Sequence, residues 1–151
     1  MMKKLLAAAI TAAALTACGN KADAEAELML EKAGTEFENK QYGQALRTID
    51  SLRRAYPDAI EVRKRALALY QDIALRQAQE DLARTDSALQ AEKARYAVLK
   101  DSVEKKRASL TATEAELSEL NHTKARIDTL QVDFDTQCAK IKYIHKKQKE
   151  Q

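Results

Sequence analysis

The side chains that could perform chemistry in this chain are few, since its 151 residues include two cysteines and two histidines. Cys138 and His145 are seven residues apart, so a helix would place them on about the same face. They supply two zinc ligands where a structural site needs four, and side chains two turns apart do not meet as a nucleophile and its base. His122 lies in a polar stretch and is expected to be solvated. We therefore predict no catalytic residue, no metal site and no cofactor.

The second cysteine, Cys18, follows a distinctive segment. Lys3 and Lys4 precede an apolar run over residues 5–15, and the run ends in Leu15-Thr16-Ala17-Cys18. A basic start, an apolar run and small residues before a cleavage site are the marks of a secretory signal. The run is shorter than the roughly 20 residues that a membrane-spanning helix needs.

The motif Leu15-Thr16-Ala17-Cys18 resembles the lipobox of bacterial lipoproteins. The resemblance implies that residues 1–17 are a signal peptide and that Cys18 becomes the new N-terminus, carrying a diacylglycerol on its sulfur and palmitate-like acyl chains. It places the mature chain on a membrane of the bacterial cell envelope, and we expect the outer membrane. An ordinary secretory signal followed by a chance cysteine is the alternative. Residues 18–24 are then expected to form a short lipidated tether.

Composition predicts an all-α protein. Glycine occurs three times and proline once, aromatic residues make up 5% and charged residues 32% of the chain. This profile is typical of helices that pack along narrow seams. The net charge of +3 falls to about +1 without Lys3 and Lys4, so we expect no nucleic-acid partner. Cys138, left alone after lipidation of Cys18, has no internal disulfide partner.

Residues 25–75 are predicted to form a helical head. Helical periodicity predicts a first helix over residues 23–39 and a second over residues 42–55, which Pro57 ends because proline lacks an amide donor. The spacing of small, aromatic and proline residues resembles a tetratricopeptide repeat; the matching positions are Ala33, Phe37, Tyr42, Ala45 and Pro57. The resemblance implies that the two alanines allow close helix approach, although an ordinary helical hairpin would share this pattern.

One repeat-like hairpin does not bury its apolar face alone, because such arrays need about three repeats. We expect the start of a third helix to cover the hairpin with Ile60, Ala66, Leu67 and Tyr70.

Residues 76–151 are predicted to form a coiled-coil arm with a basic C-terminal tail. Apolar residues recur every seven positions, at Leu75, Leu82, Leu89, Tyr96, Val103, Leu110 and Leu117. Such a heptad series indicates a coiled coil. The companion series is poorer, since it includes Glu92 and Lys106.

The arm can be continuous or folded back on itself. We favour a mostly continuous helix, because no glycine or proline follows Pro57. The break signals are weak: Thr111 and Glu114 have the spacing of a capping box, and Asn121-His122-Thr123 favours a helix least. A continuous helix would need a second chain to cover its stripe, whereas a hairpin would cover the stripe within one chain.

The predicted function is non-enzymatic: a lipid-anchored scaffold, spacer or protein-interaction module. The overall order of segments resembles uncharacterised envelope lipoproteins of Bacteroidota. The alternative is an accessory repeat-type lipoprotein of an outer-membrane assembly or secretion machine. Expected partners are the membrane, through the lipid, and a protein or a second copy, through the coiled coil; we expect no small-molecule substrate. The lysines of residues 140–149 either contact an anionic surface or complete the last helix.

Overall fold

The computed structural model describes the backbone of residues 5–150 and the side chains of residues 21–150. Its elements are α1 (Leu5–Glu38), α2 (Tyr42–Ala55), α3 (Ile60–Ala108) and α4 (Glu114–Lys149), with no strand among the described residues. The prediction of an all-α fold is therefore confirmed. Two compact units divide between Ala74 and Leu75, and α3 contributes to both.

The first unit buries a small core between α1, α2 and the start of α3. Ala33 and Ala45 are fully buried, as close packing of α1 on α2 requires. The rings of Phe37 and Tyr42 meet beside the turn, with centroids 5.9 Å apart. A hydrogen bond beside this core also joins the two helices: the hydroxyl of Thr48 on α2 donates to the carboxylate of Glu36 on α1 at 2.7 Å. The second helix has the predicted bounds.

The first helix begins earlier than the predicted residue 23, and the end of the segment assigned to the tether is helical. Residues 21–24, assigned to a tether, lie within α1. Alanines and charged residues with good helix propensity fill this segment, and no glycine or proline lies between residues 20 and 33 to stop a helix. The side chain of Cys18, where the lipid is expected, lies outside the described side chains.

The third helix packs on the hairpin with a different face from the expected one. Ala66 is fully buried as predicted, but its companions in the core are Val62 and Ile73, at 4% and 0% exposure. Ile60, Leu67 and Tyr70, expected in the core, are 61%, 39% and 45% exposed. The stripe of residues 62, 66, 69 and 73 has the spacing of one helix face. This part of α3 has two apolar faces. The face that carries the small side chain of Ala66 is the one that packs against α1 and α2.

The second unit is an antiparallel hairpin of α3 and α4, so the favoured continuous helix is wrong and its alternative is correct. Ion pairs join the two helices in antiparallel order: Arg95 pairs with Glu119, and the Nε atom of Arg126 lies 3.1 Å from a carboxylate oxygen of Glu92. Near the turn Lys106 pairs with Glu116. The charged companion positions 92 and 106 are thus matched across the hairpin.

The turn between the two helices spans residues 109–113 and needs no glycine. Leu110 adopts a left-handed conformation, with φ of 58°. Its amide donates to the carbonyl of Arg107 at 3.0 Å, and the amide of Thr111 donates to the carbonyl of Lys106 at 2.8 Å. This pair of bonds is the Schellman arrangement that ends many helices. The new helix begins at a capping box of Thr113 and Glu116, two residues after the predicted signal.

Six residues of the predicted heptad stripe face the seam to different degrees. Leu89 and Val103 are buried, at 2% and 1% exposure, and four others are half-buried: Leu75, Leu82, Tyr96 and Leu117. Leu110 is wrongly assigned to the stripe, because it is 95% exposed at the turn. In the described part of the chain no helix is both long enough and apolar enough to span a membrane.

Candidate interaction surfaces

Ile60 stands at the centre of the most distinctive surface of the first unit. It is the first residue of α3, and its side chain is 61% exposed. Leu67 lies two turns further along the same face, since residues seven apart on a helix point in about the same direction. This exposed aliphatic pair lies on a helix whose other apolar face is already buried.

A basic groove borders Ile60 on the side of α2. Its volume is about 220 Å³, and it is lined by Arg53, Ile60, Arg63, Lys64 and Leu67. An Nη atom of Arg63 donates to the carbonyl oxygen of Pro57, which holds its guanidinium at the turn, while its buried Nε makes no hydrogen bond with the described residues. The ammonium of Lys64 lies 2.8 Å from the carboxylate of Glu61. With the exposed Arg53, the lining has three cationic side chains and no carboxylate, so this groove has an excess of positive charge.

An acidic groove borders the same isoleucine on the side of α1. Its volume is about 320 Å³, and its lining carries four carboxylates, from Asp23, Glu27, Asp58 and Glu61. Glu27 pairs with Arg65, which ties α1 to α3 below this groove. Ile60 lines both grooves and lies between a surface of excess positive charge and one of excess negative charge, and the Lys64–Glu61 pair joins the two.

A tyrosine hydrogen bond closes the first unit beside these grooves. The hydroxyl of Tyr56, which follows α2, donates to a carboxylate oxygen of Glu25 on α1 at 3.0 Å. This bond, together with burial and the negative charge of Glu25, raises the pKa of Tyr56 above its ordinary value. The contact holds the turn before α3, and hence the position of Ile60, against α1.

The second unit has an open groove beside its seam. Its volume is about 580 Å³; its floor is Ala94, Val98 and Leu99, and Val98 is 75% exposed. Arg95 and Glu119 also line this groove, and they pair with each other. The charged residues that line this groove, Arg95 and Glu119, have opposite signs, so the groove has no excess charge, unlike the two grooves in the first unit.

The basic tail at the end of α4 is partly neutralised by its own residues. The ammonium of Lys147 lies 2.8 Å from the carboxylate of Glu150 and 5.8 Å from the ring centroid of Tyr143. The hydrogen bond with Glu150 raises the pKa of Lys147. Lys146 also approaches Glu150, at 4.0 Å. The described contacts of Lys146 and Lys147 are thus with neighbouring residues at the same end of the chain.

The remaining reactive side chains lie apart from these surfaces. Cys138 is a half-buried free thiol, and the Nδ1 atom of His145 lies 3.3 Å from the side-chain oxygen of Gln148. Within residues 21–150 no group of three potential metal ligands comes together. Sequence reasoning did not find the grooves at Ile60, because it assigned that residue to the core. Arg53, Asp58 and Lys64 do not recur at a helical spacing, so periodicity in the sequence does not predict this surface.

Comparison with known proteins adds no relative: no family model, curated protein or solved structure matches this chain.

Proposed function

We propose that this chain is a lipid-anchored protein of the bacterial cell envelope that serves as a non-enzymatic scaffold and protein-interaction module. The observation that carries the proposal is the motif Leu15-Thr16-Ala17-Cys18 after a basic start and an apolar run. One acyl chain holds a protein to a membrane only marginally, and each buried methylene contributes about 0.8 kcal/mol. Several chains on one cysteine would make the attachment effectively permanent.

The interaction role is supported by what the two units present to solvent. Each is a set of helices joined by short turns, with a narrow apolar core and many surface ion pairs. The first unit exposes Ile60 between two grooves of opposite charge. Surfaces of this kind are suited to contact with another protein, since apolar contact supplies affinity and charge sets orientation.

Fractionation of cells tests the anchor. We expect the wild-type chain to sediment with membranes and to stay there in high salt, because a lipid, unlike a charged surface, is not screened. The variant Cys18→Ala should move to the soluble fraction. The variant Cys138→Ala is the matched control and should stay with the membranes, since it removes the other thiol. A Cys18→Ala variant that remains membrane-bound in high salt would exclude the lipid anchor.

A further inference from the structure

The surface around Ile60 has a property that bears on which partner it fits. The groove between α2 and α3 is lined by Arg53, Arg63 and Lys64. The groove between α1 and α3 is lined by four carboxylates, two of which belong to Asp23 and Asp58. The exposed side chain of Ile60 lines both. The patch therefore has an apolar centre with positive charge on one flank and negative charge on the other.

From this arrangement we propose that a second copy of this chain docks on the Ile60 surface, through a two-fold contact between first units. A two-fold interface uses the same patch on both subunits, so the patch must be complementary to itself. A two-fold axis that passes by Ile60 along the boundary between the grooves places the basic groove of each copy against the acidic groove of the other. The two isoleucines then meet at the axis.

The same charges disfavour other occupants. An acidic segment would be attracted by Arg53 but repelled by Asp23 and Asp58, and a basic segment would meet the reverse. Only a partner with both signs in matching order satisfies both flanks, and a second copy has them by construction. Leu67, 39% exposed, and Tyr70, 45% exposed, lie further along α3 and would extend the apolar part of the contact.

The inference rests on the proposed function, since it names the partner of the interaction module. It differs from the self-association predicted from the heptad stripe, which the hairpin of the second unit satisfies within one chain.

Disulfide trapping in the full-length chain tests the contact. Ile60→Cys is introduced together with Cys138→Ser, membranes are oxidised, and dimers are quantified on a non-reducing gel. The matched control is Leu28→Cys in the same background, because Leu28 is 65% exposed in the same unit and lines neither groove. We expect about tenfold more dimer for position 60, as a cysteine near a two-fold axis meets its copy in the required geometry. Equal yields at both positions, or no dimer at position 60, would overturn the proposal.

Charge reversal tests the pairing of the grooves. In the Ile60→Cys chain, Arg53→Glu with Lys64→Glu makes both flanks acidic, and Asp23→Lys with Asp58→Lys cancels the negative excess of the acidic flank, because Glu27 and Glu61 remain. All four side chains are exposed, which limits damage to the core. Each variant alone should lose trapped homodimer about fivefold, and the two expressed together should restore it as heterodimer. Homodimer yields that do not change, or reversed chains that fail to trap each other, would contradict the charge pairing.

Fatty-acid labelling of the Ile60→Cys chain separates this inference from the proposed function. Labelled protein without trapped dimer contradicts the two-fold contact alone, whereas unlabelled protein that traps more dimer than the Leu28→Cys control contradicts the lipid anchor alone.

Discussion

At the scale of single residues, the ends of α1 and α3 each depend on one residue in an uncommon backbone conformation. Lys40, after α1, has φ of 59°, and Leu110, after α3, has φ of 58°. The same pair of hydrogen bonds closes both helix ends. At the end of α1, for example, the amide of Lys40 donates to the carbonyl of Phe37 at 2.9 Å. This conformation is costly for L-residues, and glycine is the usual occupant. Both turns are thus stable in spite of their central residue.

Replacing Leu110 by glycine should stabilise the second unit. Leu110 is 95% exposed, so its side chain contributes little packing, and glycine removes the left-handed penalty. We expect a gain of about 0.5–1 kcal/mol after the greater unfolded-state entropy of glycine is counted. Chemical denaturation measures the gain. The control Ser109→Gly, one residue earlier and without a positive φ, should not stabilise; a Leu110→Gly chain no more stable than wild type would contradict the assignment.

Acid should weaken the start of α4 through Glu116. Its hydrogen bond with Lys106, and next the bond it accepts from the Thr113 amide, lower the pKa of Glu116 below its ordinary value of 4.5. The ionised carboxylate therefore stabilises the fold above about pH 4.5, and this contribution is lost as the pH falls through the lowered pKa.

Thermal melting of Glu116→Gln tests this effect. The variant keeps a hydrogen-bond acceptor for Thr113 but loses the charge facing Lys106. Its melting temperature should lie below that of wild type at pH 7, and the difference should shrink at pH 3. The control Glu114→Gln, also in the first turn, lacks the cross-hairpin partner and should show a smaller difference at pH 7. A constant Glu116→Gln difference across this range would contradict the account.

At the scale of elements, sequence periodicity predicted α2 with its bounds, because Gln41 and Pro57 flank a single amphipathic stripe. The packed face of α3 could not be predicted in the same way. Residues 60–70 carry two apolar stripes, one with Ile60 and Leu67 and one with Val62 and Ala66. The choice between them depends on how closely α3 approaches α1 and α2, which is a tertiary property. The candidate site at Ile60 was missed for the same reason.

The close approach of α1 and α2 predicts a large effect at Ala45. This residue is fully buried, so Ala45→Leu has no room for its side chain and should cost about 1–3 kcal/mol. Ala55, exposed at the end of the same helix, is the matched control, and Ala55→Leu should change stability by less than about 0.5 kcal/mol. Equal effects in a chemical denaturation experiment would show that Ala45 is not at the contact.

The seam of the hairpin predicts a similar contrast in the second unit. Val103 is 1% exposed and Val98, five residues earlier on α3, is 75% exposed. Val103→Lys buries a charge in the seam and should cost about 3 kcal/mol or more, whereas Val98→Lys should be nearly neutral. Circular dichroism during thermal unfolding compares the two. A Val103→Lys chain that melts like Val98→Lys would contradict the intrachain seam.

At the scale of the whole molecule, composition was enough to predict an all-α chain, but not the fold-back of its second half. The turn at residues 109–113 contains no glycine or proline, and Leu110 continued the heptad pattern that favoured an unbroken helix. The hairpin buries Leu89, Val103 and Ile144 within one chain, and it pairs distant charges such as Glu92 with Arg126 and Lys106 with Glu116. Such pairs become visible only when the two helices are placed side by side. The proposed function rests separately on the motif Leu15-Thr16-Ala17-Cys18, which is informative by itself.

The most direct test of the proposed function is metabolic labelling with an alkyne fatty acid, followed by mass spectrometry of the purified chain. The proposal predicts that the label is attached at residue 18, that the chain begins there, and that Cys138→Ala retains the label. A chain that begins elsewhere, or wild-type protein without label at Cys18, would contradict the lipid-anchored function.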